Sequence, residues 1–258
     1  MWYNIHMEIA FPEITTNPIA RQAITAFPEI NFLPADNLDT AAEMVAKGTA
    51  DSLISGIDFP SRDVVLACKA FISLSSAYFS SCFVCERQDV HFVLADGGIN
   101  KQPTEDQLYC IVEDSAKTYE TFYGDIPRIA MLSYSTKGSG GKNPDLDKIY
   151  SVINRIRHNY PNWLIDGEMQ LDAAIDPTVA AKKTPDSPLK GNANVLITPD
   201  LNSGNILYKS LERFGGFTIA GPIIQGFTSP IADLSRGSTV NDIILTINVI
   251  KKLHERKS

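Results

Sequence analysis

Ile231-Ala-Asp-Leu-Ser-Arg-Gly-Ser-Thr-Val-Asn-Asp-Ile243 lies near the end of a 258-residue chain and gathers Asp233, Ser235, Arg236 and Asp242 around Gly237. Ile243, Ile244, Ile247, Val249 and Ile250 continue from it, so Ser238 or Thr239 reads as the cap of a C-terminal helix. A hydroxyl, a forked cation and two carboxylates therefore share one helix entrance. An anion lodged there would meet free backbone N–H groups and the guanidinium of Arg236. A surface helix cap carrying a salt-bridged arginine fits the same letters, so the choice rests on the segments around it.

Outward from this stretch, short apolar runs alternate with helical spacing, the pattern of an α/β protein. Strands are predicted at 5–10, 29–33, 52–56, 81–85, 91–94, 128–133, 194–197 and 218–221. Helix 104–122 carries Leu108, Ile111, Val112 and Ala116 on one face, and helix 144–160 carries Leu146, Ile149, Val152, Ile153 and Ile156. A third helix, 202–214, ends at Gly215-Gly216, a C-cap pair. The chain shows no internal repeat, low-complexity tract or linker.

Composition narrows the function classes. With 44% hydrophobic residues the chain can build one large core or two modest ones. A net charge of −7 and a pI near 5.1 argue against sequence-independent nucleic-acid binding, which needs a basic surface. Small anions stay open, because a local arginine and a helix N-terminus act within an acidic protein. No apolar run reaches membrane-spanning length. The start, Met1-Trp-Tyr-Asn-Ile-His-Met-Glu8, lacks a basic region followed by an apolar one. The expectation is a cytoplasmic protein with neither membrane nor nucleic acid as partner. Cys82-Phe-Val-Cys85 has CxxC spacing but no second pair follows, and strand geometry turns positions 82 and 85 to opposite faces. Buried structural thiols are expected for these cysteines. His6, His91, His158 and His254 form no ligand pattern, so no metal is expected.

The segment in front of the opening stretch reads Pro199-Asp-Leu-Asn-Ser-Gly-Asn-Ile-Leu-Tyr-Lys209, then Gly215-Gly216, then Gly221-Pro-Ile-Ile-Gln-Gly226. Further upstream stand Ala95-Asp96 with Asn100, Met131-Leu-Ser-Tyr-Ser-Thr136, Asp166-Gly167 with Gln170, Asp172-Ala-Ala-Ile-Asp-Pro177 and Pro185-Asp-Ser187. In this order the strings resemble the phosphate acetyltransferase and phosphate butyryltransferase family, nearly continuously from Asp89 to Ser258. Before residue 89 the likeness narrows to Ala41-Glu-Met-Val-Ala-Lys-Gly-Thr-Ala-Asp-Ser-Leu-Ile-Ser-Gly56. The resemblance implies a two-domain α/β/α sandwich of the isocitrate/isopropylmalate dehydrogenase-like type, with the active site in the interdomain cleft. Mapped onto this chain, the first domain takes 1–87 plus 229–258 and the second takes 88–228. Family members usually dimerise through the second domain, so a homodimer is implied.

The chemistry that the resemblance implies is reversible acyl transfer: acyl-CoA plus phosphate gives acyl phosphate plus CoA. CoA is a substrate, and no cofactor or metal is needed. Such a reaction requires a base for the thiol proton, an anion site and donors for the tetrahedral oxyanion. By resemblance Asp242 is the base, Arg236 holds the phosphate and Ser235 donates to the oxyanion or the thiolate. As an exposed first-turn carboxylate, Asp242 would otherwise contribute only about 0.3–1 kcal/mol through the helix dipole. The loop Ser133-Tyr-Ser-Thr-Lys-Gly-Ser-Gly-Gly141 lacks the order of a P-loop, and its hydroxyl and N–H donors fit a mobile Gly/Ser turn as well as an anion site; the resemblance implies that it lines the cleft, with Ser135 and Thr136 as substrate contacts. Asn205 and Tyr208 lie one helical turn apart, and Asn205 is the expected substrate contact of the two.

Departures from the pattern bear on activity. In acetyl-type members a cysteine follows the Ala-Asp pair, where this chain has Gly97; butyryl-type members resemble its Asp-Gly-x-Ile-Asn form. After Ser55-Gly56 the family carries His-Ser-Thr and then an arginine before a proline. Here Ile57-Asp-Phe-Pro-Ser-Arg-Asp63 moves the arginine to Arg62, the remaining expected substrate contact. The family's upstream Arg-Lys-His-Lys-Gly string has no counterpart before Asp39, so the first domain reads as shortened. Ser229 and Ala232 stand where Lys and Asn are usual. Two function classes thus fit: an active phosphate acyltransferase, or a non-catalytic or regulatory relative that binds CoA, acyl phosphate or a protein partner. An NAD-linked decarboxylating dehydrogenase of the related fold fits less well, because its metal-binding aspartates and lysine–tyrosine pair are not recognisable.

Overall fold

The computed structural model describes residues 7–256. In chain order its first half comprises β1 (Met7–Ala10), a 3-10 turn (Pro12–Thr15), α1 (Pro18–Ile24), β2 (Ile30–Leu33), α2 (Leu38–Ala46), β3 (Ser52–Ser55), α3 (Ser61–Phe71), β4 (Ser80–Arg87), β5 (Val90–Ala95) and α4 (Glu105–Tyr123). There follow β6 (Arg128–Leu132), α5 (Pro144–Asn159), β7 (Leu164–Met169), α6 (Leu171–Ile175), α7 (Pro177–Lys183), β8 (Val195–Ile197), α8 (Leu201–Arg213), β9 (Thr218–Gln225), β10 (Ile231–Asp233) and α9 (Val240–Glu255). Residues 5 and 6 of the first predicted strand, with His6, lie outside the described residues. Strand and helix alternate as the periodicity predicts, and the class is mixed α/β.

Two compact units divide the chain: Met1–Phe79 with Thr218–Ser258, and Ser80–Phe217. The expected second domain, 88–228, therefore becomes 80–217. Backbone pairing explains both shifts. β4 runs antiparallel to β5 from Cys82↔Ala95 to Arg87↔Val90, which ties it to the second unit. β9 pairs antiparallel with β10 at Ile224↔Ile231, which ties it to the first.

In the first unit the strand order is β2-β1-β3-β10-β9. β2, β1, β3 and β10 are mutually parallel, and only β9 runs against them. Parallel strands need both faces covered. Here α9 packs against β9 and beside α1, while α2 packs on α3. Ile243, Ile247, Val249 and Ile250 of α9 are fully buried, each stabilising the unit by about 1.5–3 kcal/mol. The second unit orders its strands β4-β5-β8-β6-β7, with β5, β8, β6 and β7 parallel. Its α4 starts at a capping box formed by Thr104 and Gln107 and stops at Gly124, which takes the left-handed conformation at φ 71°.

Parallel strands put their carboxyl ends at one end of each sheet, where α/β folds bind ligands. In the first unit these ends carry Glu13 after β1, Ser55-Gly56 at β3, and Asp233 with Ser235-Arg236 at β10. In the second they carry Asp96–Asn100, Ser133–Thr136 and Thr198–Asp200. Two strands escaped the sequence reading. β7, Leu-Ile-Asp-Gly-Glu-Met, hides its character behind Asp166 and Glu168, which are buried inside it. At three residues β10 is too short to show a period.

Candidate active site

β10 delivers the opening stretch to its position. Leu234 N donates to Ser55 O at 2.5 Å, carrying the ladder one residue past the strand. Ser238 N then donates to Ser235 O (2.9 Å) and Gly237 N to Ser235 Oγ (3.3 Å), closing a tight turn that ends at the α9 N-cap. Ser235 is half-buried and Arg236 is exposed. Among the described residues the Arg236 guanidinium makes no hydrogen bond or ion pair; its charge acts on Asp233. The salt-bridged surface arginine allowed by the letters alone is therefore not what the fold builds.

Asp242 is a different residue from the exposed first-turn carboxylate of the sequence reading. It is 4% exposed. Its Oδ2 accepts from Thr239 N and Thr239 Oγ1, each at 2.7 Å, while Asp242 N donates back to Thr239 Oγ1 at 3.3 Å. Oδ1 accepts from Ile219 N at 2.9 Å. Thr239, not Ser238, is the N-cap, and the carboxylate ties β9 to the start of α9. A carboxylate offers about four lone-pair sites, so three donors leave room for a fourth.

Beside this turn lies a pair of acids that the sequence reading left unassigned. Glu13, 2% exposed, accepts from Ser55 Oγ (2.9 and 3.0 Å) and from Gly56 N (2.7 Å). Burial raises its pKa, and the Gly56 and Ser55 donors only partly offset that. Asp233 is 1% exposed, and its Oδ1 has no hydrogen-bond partner among the described residues. Burial pushes its carboxyl up to about 7; the Ser61 hydroxyl and Arg236 pull down, and Glu13 adds to the rise. Gly56 makes this packing possible. Its φ is +111°, and a Cβ there would drive into Asp233 Oδ1 and into the Leu234 backbone. The signal for Glu13 was its place directly after the β1 run, where a carboxyl end delivers a side chain to the site. Arg62, the expected substrate contact from this unit, sits exposed in the first turn of α3 and makes no hydrogen bond or ion pair among the described residues.

In the second unit the glycine-rich loop after β6 is turned inward. Ser135 Oγ donates to Glu168 Oε1 (2.6 Å) and accepts from Gly140 N (2.7 Å). Thr136 Oγ1 accepts from Gln170 N at 2.9 Å. Lys137 Nζ reaches Asp166 at 2.5 Å, with Arg157 on the same oxygen at 3.3 Å. Glu168 also accepts from Tyr150 Oη and, at 2.8 Å, from Gly138 N. Burial opposes its charge, but the Ser135, Tyr150 and Gly138 donors outweigh it and hold the carboxyl below its ordinary range. Ser135 and Thr136 are thus 1% and 9% exposed, and their hydroxyls hold the loop in shape.

Asn205 Nδ2 donates to Gly97 O at 3.1 Å, which fastens α8 to the loop after β5. Tyr208 stacks on Phe83 with centroids 4.1 Å apart and is a core residue. The same packing accounts for Gly97. A Cβ there would meet the Phe83 ring at 2.9 Å and the Gly204 carbonyl carbon at 3.1 Å, so a cysteine does not fit without movement. A cavity of about 510 Å³ opens among Thr104, Ser133, Tyr134, Asn143, Lys148 and Pro199, at the strands' carboxyl ends. A second, of about 590 Å³, lies at the opposite end, among Arg87, Phe92, Arg128 and Phe217. Cys68, Cys82, Cys85 and Cys110 are free and buried, as structural thiols should be.

This chain is similar to known proteins over nearly its whole length. The model of the phosphate acetyl/butaryl transferase family matches residues 19–250. Phosphate acetyltransferase of Bacillus subtilis (strain 168) is 41% identical over 203 residues, covering 78% of this chain and 62% of the relative. That of Treponema pallidum (strain Nichols) is 37% identical over 219 residues, covering 81% and 65%. The chain thus spans a little under two thirds of the length of these relatives. Among solved structures, a phosphotransacetylase from Streptococcus pyogenes superposes with a TM-score of 0.86 at 28% identity, covering 97% of this chain and 94% of that one. A 4-hydroxythreonine-4-phosphate dehydrogenase from Klebsiella pneumoniae, with a TM-score of 0.54 at 10% identity, shares the fold alone. With the order of its motifs, its α/β architecture and a family match over residues 19–250, the chain belongs to the phosphate acetyl/butaryl transferase family.

Proposed function

We propose that this chain catalyses the reversible transfer of an acetyl or other short acyl group between CoA and inorganic phosphate. The observation that carries the reading is the unpaired guanidinium of Arg236, held beside Ser235 at the carboxyl end of β10. In the forward direction a phosphate oxygen attacks the thioester carbonyl, a tetrahedral oxyanion forms, and the C–S bond breaks to release CoA thiolate. Arg236 holds the phosphate through its fork. Ser235 donates a hydrogen bond to the oxyanion or to the departing sulfur. In reverse, the fourth lone-pair site of Asp242 takes the thiol proton as sulfur attacks acyl phosphate. Arg62 supplies a second cation for the phosphates of CoA, and Asn205 contacts the substrate. Ser135 and Thr136 contribute the fixed loop backbone. CoA, acyl-CoA, phosphate and acyl phosphate are the partners, with CoA as substrate and no further cofactor. A homodimer formed through the second unit and a cytoplasmic setting, where CoA thioesters and phosphate are available, complete the reading.

One observation favours a second reading. The three donors already on Asp242 suit a structural cap, and a chain that used Asp242 only in that way would be a non-catalytic relative binding the same ligands. Thiol release from acetyl-, propionyl- and butyryl-CoA, followed with and without phosphate and without added metal, separates the two. Phosphate-dependent release with at least one thioester is the expected result. Release with none of the three, from protein that still binds CoA, establishes the non-catalytic reading.

A further inference from the structure

Among the described residues at the carboxyl ends of the first unit's strands, Asp233 is the carboxylate with an oxygen left unpartnered in the interior. Its position is over-determined. The register pairs it with Ser55, Leu234 N locks onto Ser55 O at 2.5 Å, and Gly56 has no Cβ where Oδ1 sits. It therefore has little freedom to swing away toward water. Three residues later Arg236 stands without a hydrogen-bond partner and within electrostatic reach.

We propose that Asp233 is a positioning residue for Arg236, uncharged when the arginine is free for an anion and competing for that arginine once ionised. This rests on the reading of Arg236 as the phosphate contact. A buried carboxylate with one oxygen unpartnered gains by drawing in a cation, and Arg236 is the cation whose charge acts on it. Every guanidinium N–H turned toward Asp233 is one fewer for a phosphate oxygen. In its neutral form the carboxyl makes no such demand. The groups facing it are Glu13 from the 3-10 turn, Ser61 and Cys68 from α3, and Arg236 from its own loop. Strands β3 and β9 bring no charged side chain, and Asp242 of α9 is held by Thr239 and Ile219. The Cys68 thiol, pushed up to about 12 by burial and by Asp233, stays neutral through the working range. Glu13, itself raised by burial, is the acid that faces Asp233 beside Arg236. Charge near neutral pH is sensed by Asp233, whose carboxyl sits at about 7.

Sulfate is the probe, because it is a dianion throughout the range while phosphate itself titrates. Calorimetric titration with sulfate between pH 6 and 8.5 should show wild-type affinity falling about two- to fivefold as the pH rises, the size of a partly exposed ion pair. Asp233→Asn should bind at the wild type's low-pH strength across the whole range. Glu13→Gln, which removes the charge that helps hold the Asp233 proton, should move the wild-type transition to lower pH. Stability gives an independent reading. A carboxyl raised in the fold costs stability as pH climbs from its unfolded value to its folded one. The melting temperature of Asp233→Asn relative to wild type should therefore climb from pH 4 to pH 7 and then level. A pH-independent wild type, or an asparagine variant that keeps the wild-type slope, overturns the inference. Sulfate binding unchanged by Arg236→Ala overturns the anion site of the proposed function, and this inference with it.

Discussion

Asp242 shows how one side chain can be read twice. Its spacing from Ser235 and its resemblance-given role were legible in the letters; its burial was not, because the strand whose Ile219 N–H it accepts comes from 23 residues upstream. The consequence is measurable. Asp242→Asn keeps the shape but places an NH2 where an oxygen faces Thr239 or Ile219 donors. At least one buried donor then goes without a partner, at a cost of about 1–3 kcal/mol. Denaturant unfolding should show that loss. If the same carboxylate is also the thiol base, kcat should fall by about 10²–10⁴ in the direction that consumes CoA. Destabilisation with near-normal turnover would leave Asp242 as a cap alone. Glu13 and Asp233 were equally invisible as a pair, since 220 positions separate them and only the β1–β3–β10 order brings them together.

At the scale of elements, the glycine-rich loop after β6 is held from below by β7. Ser135, Gly138 and Tyr150 converge on Glu168, so loop and strand form one unit. Ser135→Ala removes a donor from a buried carboxylate and an acceptor from Gly140 N, and should destabilise the protein by about 1–3 kcal/mol. The sign of the pH dependence follows from Glu168, whose pKa is lowered by its donors. Its contribution is fully present above the ordinary carboxylate range and is lost as pH falls through the folded value. The gap between wild type and Ser135→Ala, measured by thermal melts, should thus be widest at neutral pH and shrink below pH 4.5, the carboxyl's ordinary value. A gap constant from pH 7 to pH 3 would detach Ser135 from Glu168. The long helices were readable because their apolar spacing is unbroken. β7 was not, because its polar residues are satisfied by a loop and a helix that no local window contains.

For the whole molecule, a net charge of −7 is compatible with the anion site proposed at Arg236, because that reading needs only a few local cations. Among the described residues Arg236 and Arg62 make no ion pair, while Arg128, Arg155 and Arg157 are held in ion pairs of the second unit. The alternation of strands and helices, the family and the Ser235–Arg236 turn could be read before any fold was known. The unit boundaries could not, since β4 and β9 are assigned by pairing partners and not by their own letters. The most direct measurement is the KM for phosphate in Arg236→Ala, set beside wild type and Arg236→Lys. A charge-assisted contact is worth about 1.5–3 kcal/mol. The alanine variant should therefore raise the phosphate KM by about one to two orders of magnitude, with a much smaller change for the thioester. Lysine should restore it only in part, because an ammonium cannot form the fork. A phosphate KM unchanged in Arg236→Ala would contradict the account, placing the anion away from the β10–α9 turn.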